Sequence, residues 1–193
     1  MILIKGVVLN LKKFLLGFML VLLAAGFAFA DNNIKVWKKI IDERSAVLWA
    51  DAQFLDKLVL NARGNASITW LPRSLLRTLE KNKECDEWVI RGLNFYYSSN
   101  AETKKKMKNC DVIAVNYKAV KNWNFNVSDF KFEDYAIGSD NILSGKKDYR
   151  DGELNSGTQS IVYLAVPSKI FKPNKDVKIS LGVDSVILHL PKK

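Results

Sequence analysis

From Asp86 onward the periodicity of the apolar residues becomes alternating over most of the chain, and that period predicts strands. Trp88 and Ile90, then Leu93, Phe95 and Tyr97, predict a strand with a phase slip at Gly92. Ile113, Val115, Tyr117 and Ala119 predict a second. Trp123, Phe125 and Val127 lie in one phase, Phe130 and Phe132 in the other, so a bend is expected between Ser128 and Asp129. Ile161 to Val166 is apolar in both phases, as a central strand would be, and ends at Pro167. Asn141 to Gly157 predicts a solvated loop. Val177, Ile179 and Leu181, then Val186, Leu188 and Leu190, predict two final strands.

Ahead of Asp86 the period is helical. Ile34, Trp37, Ile41, Leu48, Leu55, Leu58 and Ala62 return at three- and seven-residue steps, which predicts a helical stretch from about Asn33 to Arg63 with Gly64 as its cap. Arg44 and Asp51 interrupt that face, and a break near Arg44-Ser45 would divide it in two. Pro72 suits the first turn of a further helix through about Asn82, with Leu75, Leu76 and Leu79 as its apolar contacts. Ser99 to Glu102 offers a capping box for a lysine-rich helix ending near Asn109.

The first thirty residues read as an export signal. Lys5, Lys12 and Lys13 precede an apolar run from Phe14 to Phe27, and Ala28-Phe29-Ala30 is a small-x-small cleavage site with Asp31 opening the mature chain. The run is shorter than the roughly 20 residues of a spanning helix, so cleavage after Ala30 and a periplasmic or secreted location are expected. Cleavage removes three lysines and no acid, which takes the net charge from +10 to +7. A basic exported chain meets anionic envelope polymers, lipid headgroups or acidic proteins.

Cys85 and Cys110 each close a K-x-K-x-C-D passage. In an oxidising compartment the pair is expected to form a disulfide, and if both open neighbouring strands those strands run parallel. There is no C-x-x-C spacing for redox work, and two thiols with one histidine fall short of a zinc site.

Gly152-Glu153-Leu154-Asn155-Ser156-Gly157-Thr158, followed by the apolar run Ile161 to Val166 and Pro167, resembles a hairpin common in secreted immunoglobulin-like, telokin-like accessory domains of bacteria. The resemblance covers Asp111 to Leu190 at most and implies a binding or assembly module. The helical N-terminal part departs from that family. The expected fold class is α+β, with N-terminal helices packed on a mainly antiparallel, immunoglobulin-like β-sandwich. Its organisation would be a signal peptide over 1–30, a helical segment over 31–84 and a β-rich domain over 85–193.

Catalytic patterns are missing. His189 is the sole histidine, so H-E-x-x-H cannot be built, and there is no G-x-S-x-G elbow or phosphate-binding glycine loop. Ser144 to Lys147 has S-x-x-K spacing but lies in a turn-like segment, and Asp148, Asp151 and Glu153 fit no EF-hand loop. No cofactor or metal is expected. The expected role is non-catalytic, with another envelope protein as partner. One alternative is a carboxylate-dependent glycan hydrolase. Another is a lysine-driven binder of anionic glycan or lipid, using Lys104, Lys105, Lys106 and Lys108 with Trp123. Nucleic acid is not an expected partner of an exported chain.

Overall fold

The computed structural model describes residues 36–56, 58–81 and 85–191. The expected signal segment 1–30, with Ala28, Ala30 and Asp31, lies outside the described residues. The chain divides into two compact units, residues 1–39 and 40–193. Of the first, only 36–39 are described, and they are helical.

The second unit opens with helical residues 40–42 and then turns to strands: β1 (Ser45–Ala50), β2 (Gln53–Leu55), β3 (Leu58–Leu60) and β4 (Gly64–Leu71). The helix expected as far as Arg63 is therefore corrected. Along β1 burial alternates, with Ala46, Leu48 and Ala50 inside and Val47 outside. Asp51, Asp56 and Asn61 have φ of 51°, 52° and 60°. A residue in that left-handed region reverses the chain locally and cannot sit inside a right-handed helix.

Three short helices follow or interrupt the strands: α1 (Leu75–Lys81), α2 (Glu87–Asn94) and α3 (Ala101–Lys106). Helix α1 lies within the expected range, but Pro72 stands ahead of it rather than in its first turn, its carbonyl accepting the Leu75 N–H at 2.9 Å. Helix α2, continued by a 3-10 turn at Phe95–Tyr97, replaces the strand expected there. Its buried residues Val89, Gly92 and Leu93 share one face at three- and four-residue steps. Gly92 marks close packing rather than a bulge, since a Cβ would meet Leu71 Cδ1 at 2.5 Å and Tyr163 Cε1 at 3.0 Å. Asn100, one residue after Ser99, caps α3: its Oδ1 accepts the Glu102 and Thr103 N–H groups at 2.9 and 3.1 Å.

The remaining strands are β5 (Cys110–Ala119), β6 (Trp123–Phe125), β7 (Phe130–Phe132), β8 (Tyr135–Ala136), β9 (Gly152–Leu154), β10 (Gln159–Pro167), β11 (Asp176–Leu181) and β12 (Asp184–His189). A 3-10 turn at Val127–Asp129 makes the bend expected between β6 and β7. Two four-stranded sheets result, ordered β1-β4-β5-β10 and β12-β11-β7-β8, with the pairs β2-β3 and β6-β9 beside them. Every pairing among the described residues is antiparallel. β10, expected to be central, is the last strand of its sheet. Its outer edge is closed by an Ile142–Leu164 bridge and by the Leu143 N–H donating to the Tyr163 carbonyl at 2.8 Å.

One apolar cluster draws on both large sheets. Ile68, Ile113, Val115, Tyr117, Val162 and Leu164 from one meet Phe130, Phe132, Val177, Ile179 and Leu188 from the other. The first sheet is also covered on its far side, where Leu71, Val112 and Tyr163 lie buried near Val89 and Leu93 of α2. This double burial explains why β5 and β10 read as continuous apolar runs.

Both cysteines are free thiols, so the expected disulfide is not formed. The premise fails at Cys85, which precedes a helix rather than a strand, with Sγ 3.7 Å from the Asp86 carbonyl. Cys110 opens β5, paired antiparallel with β4 and β10, and its Sγ lies 3.5 Å from the Lys108 carbonyl. Burial, reinforced by Asp86 beside Cys85 and Asp111 beside Cys110, pushes both thiols up from their ordinary range, which disfavours the reactive thiolate.

Candidate functional site

The most distinctive surface grows from the end of β1 and β4. Asp51 and Arg63 form its base: Arg63 Nε lies 3.2 Å from Asp51 Oδ2, and the Arg63 N–H donates to the Ala50 carbonyl at 2.9 Å. Between them β2 and β3 pair in the register Gln53–Leu60, Phe54–Val59 and Leu55–Leu58. Asn61 Nδ2 donates to Gln53 Oε1 at 3.2 Å, which closes the hairpin at its root. Opposite residues of an antiparallel pair share a face, so Phe54 and Val59 occupy one face and Leu55, Leu58 and Leu60 the other. Phe54 is 66% exposed, Leu55 59%, Leu58 61% and Leu60 41%.

The β11–β12 turn stands beside this hairpin. The Asp51 N–H donates to Asp184 Oδ2 at 3.0 Å, where β12 runs alongside β1. Gly182 supplies the turn with φ 61°, and Val183 at its tip is 95% exposed. Five large apolar side chains thus stand at one end of the unit. Such a concentration marks an interaction site more often than a solvated surface.

Beneath the hairpin root is a polar cleft of about 340 Å³, lined by Asp51, Arg63, Trp123, Asp129 and Asp184 among others. Its three carboxylates are engaged in loop structure. Asp51 pairs with Arg63, Asp184 accepts the Asp51 N–H, and Asp129 Oδ2 lies 3.4 Å from Asn126 Nδ2.

The expected lysine surface is only partly assembled. Lys104, Lys105 and Lys108 are exposed on and just after α3. Lys106 is withdrawn: its Nζ binds Glu102 Oε1 at 3.0 Å and the Ile142 carbonyl at 3.0 Å. Trp123 does not belong to the surface. It is 6% exposed, packs on Phe125 with centroids 4.9 Å apart, and fills the space over Gly64. Gly64 pairs with Ala119 at one end of β5, whereas the lysines precede Cys110 at the other, about 30 Å away along a ten-residue strand.

The other residues weighed in the sequence have the following partners. Ser144 Oγ accepts the Tyr163 N–H at 2.9 Å, Asp148 Oδ2 accepts the Gly145 N–H at 3.1 Å, and Asp151 Oδ1 accepts the Val127 N–H at 3.0 Å. His189 is exposed on β12, with Nδ1 2.8 Å from Asp176 Oδ1. Among the described residues no group of three His, Cys, Asp or Glu side chains is placed to hold a metal, and no helix is long and apolar enough to cross a membrane.

Sequence reasoning missed the hairpin because Leu55 and Leu58 fitted the helical stripe. The available signal was the triplets Gln53-Phe54-Leu55 and Leu58-Val59-Leu60 on either side of a charged pair, a two-residue connection between apolar runs. In comparisons with known proteins, no family model, curated protein or solved structure matches this chain.

Proposed function

We propose that this chain is an exported, non-catalytic binding or assembly protein of the cell envelope, and that it docks on another envelope protein through the β2–β3 hairpin. The observation that carries the reading is the exposure of Phe54, Leu55, Leu58 and Leu60 on both faces of a hairpin rooted in a rigid sheet. Fully burying a Leu or Phe side chain is worth about 1.5–3 kcal/mol. Covering the exposed half of these four would contribute about 5 kcal/mol before the cost of association. A hairpin with apolar residues on both faces fits a groove that encloses it better than a flat surface.

The export part of the reading rests on the apolar run from Phe14 to Phe27 and the Ala28-Phe29-Ala30 site. Two antiparallel four-stranded sheets facing one core support grouping the chain with immunoglobulin-like accessory domains, to which α1–α3 between β4 and β5 are an addition. The test is crosslinking in intact cells with a C-terminally tagged full chain, comparing the native sequence with Phe54→Thr/Leu58→Thr. A discrete protein adduct, lost in the variant at unchanged protein level, is the expected outcome. An adduct indifferent to the substitutions, or recovery of glycan or lipid alone, overturns the reading.

A further inference from the structure

The end of the unit opposite the hairpin joins two lysine-rich segments that lie far apart in sequence. Residues 104–109 read KKKMKN and residues 167–175 read PSKIFKPNK, seven lysines in all with no acidic residue in either stretch. The fold brings them together because β5 and β10 are antiparallel partners. Cys110 pairs with Pro167, and one residue beyond that pair the Ser168 N–H donates to the Asn109 carbonyl at 2.9 Å. Lys108 and Lys169 therefore flank the same junction. Lys172 follows on the loop toward β11, and Lys104 and Lys105 lead up to the junction on α3.

Two of the seven lysines are already committed, Lys106 to Glu102 and Lys175 to Glu133 at 3.4 Å. Lys104, Lys105, Lys108, Lys169 and Lys172 are exposed, and none forms an ion pair with a described residue. The nearest acid in sequence to Cys110, Asp111, is turned inward: its Oδ2 accepts the Trp70 Nε1–H at 2.9 Å. Five positive charges gathered without a neutralising carboxylate cost self-repulsion, which an anion would relieve.

We infer that this lysine end is a binding surface for a linear polyanion bearing closely spaced phosphate groups. The charges are strung along two segments that adjoin at the Asn109–Ser168 junction, which suits a chain of anionic groups better than one small anion. A bilayer fits less well. Firm membrane attachment combines basic residues with an inserted apolar group, and here Ile170 and Phe171 are buried, leaving no large apolar side chain exposed in either segment. The surface is independent of the hairpin, so one protein could hold an anionic polymer at one end and a protein partner at the other.

Binding of the purified full chain to inorganic polyphosphate, measured as a function of salt, tests the inference. With five lysines releasing counterions, log K is expected to fall against log salt with a slope of about −3.5. Lys169→Gln/Lys172→Gln should make that slope shallower by about 1.4, and Lys169→Arg/Lys172→Arg should restore it. The control pair Lys118→Gln/Lys121→Gln removes the same net charge from exposed positions at the far end of β5 from Cys110 and should leave the slope unchanged. An equal effect from the control pair, or no binding at low salt, overturns the site. Phosphatidylglycerol vesicles bound more tightly than polyphosphate, with the same dependence on Lys169 and Lys172, overturn the assignment to a polymer.

Discussion

At Gly64 the missing side chain is a packing requirement. The first residue of β4 lies under Trp123, and a Cβ there would run into the indole ring at Cε3 and Cζ3, which is itself wedged against Phe125. Trp123 cannot retreat, because its neighbour Phe125 stacks on Tyr117 with centroids 4.0 Å apart, and the Tyr117 hydroxyl is hydrogen-bonded to Arg150. Gly64→Ala is therefore expected to cost about 1–3 kcal/mol, the range for overpacking a filled core. Urea denaturation monitored by tryptophan fluorescence would measure it, and a change under about 0.5 kcal/mol would show that the indole yields. The sequence reading made Gly64 a helix cap, whereas it is the first residue of a strand, and nothing local announces an indole from residue 123.

Elements were legible where one face of the chain meets one core. β7, β11 and β12 alternate cleanly because one face is buried and the other wet, and β5 and β10 announced themselves by length and apolarity. The errors fell where burial changes sides within a few residues. In β1–β3 the left-handed Asp51, Asp56 and Asn61 look like ordinary polar helix positions, and Leu48, Leu55 and Leu58 kept a helical step by coincidence. In α2 the buried face is narrow, so Trp88, Ile90 and Phe95, all partly exposed, supplied a false alternation. The lysines 104–108 were found as a run, but their junction with Lys169 and Lys172 depends on strand pairing across some sixty residues and has no local signature. The hairpin carries its own expectation of stability. Since Phe54 and Leu58 give little to the core, Phe54→Thr/Leu58→Thr should leave folding stability within about 0.5 kcal/mol, and threonine keeps a good strand propensity. A clear fall in the thermal midpoint would mean that the hairpin already packs on its own unit, and would count against its role as a docking element.

Across the whole molecule the layers are joined by tyrosine hydroxyls, and this ties stability to alkaline pH. Tyr96 links α2 to the first sheet: its hydroxyl donates to the Leu71 carbonyl at 2.8 Å and accepts the Val112 N–H at 3.0 Å, with Asp111 Oδ1 3.3 Å away. Tyr163 reaches from β10 to the Trp88 carbonyl at 2.8 Å, and Tyr117 bonds the loop at Arg150 from the inter-sheet core. Burial pushes all three phenols above their ordinary value of 10.0, Tyr163 to about 12, and the Asp111 charge pushes Tyr96 further still. Up to about pH 9 these groups are essentially protonated in both folded and unfolded chains and contribute no slope. Between about pH 10 and 12 the unfolded chain has released protons that the folded chain retains, so stability declines as pH rises. The decline is at most about 1.4 kcal/mol per pH unit for each hydroxyl, and less for one that solvent still reaches. Tyrosinate absorbance reads this linkage directly: the three phenols should ionise together with loss of circular dichroism, not before it. Thermal midpoints should accordingly be level from pH 7 to 9 and fall above 10. Tyr96→Phe should start lower, because the Val112 N–H loses its acceptor, yet fall less steeply in alkali. Early ionisation of all three phenols in a chain that stays folded would show that the layers part more readily than their burial implies.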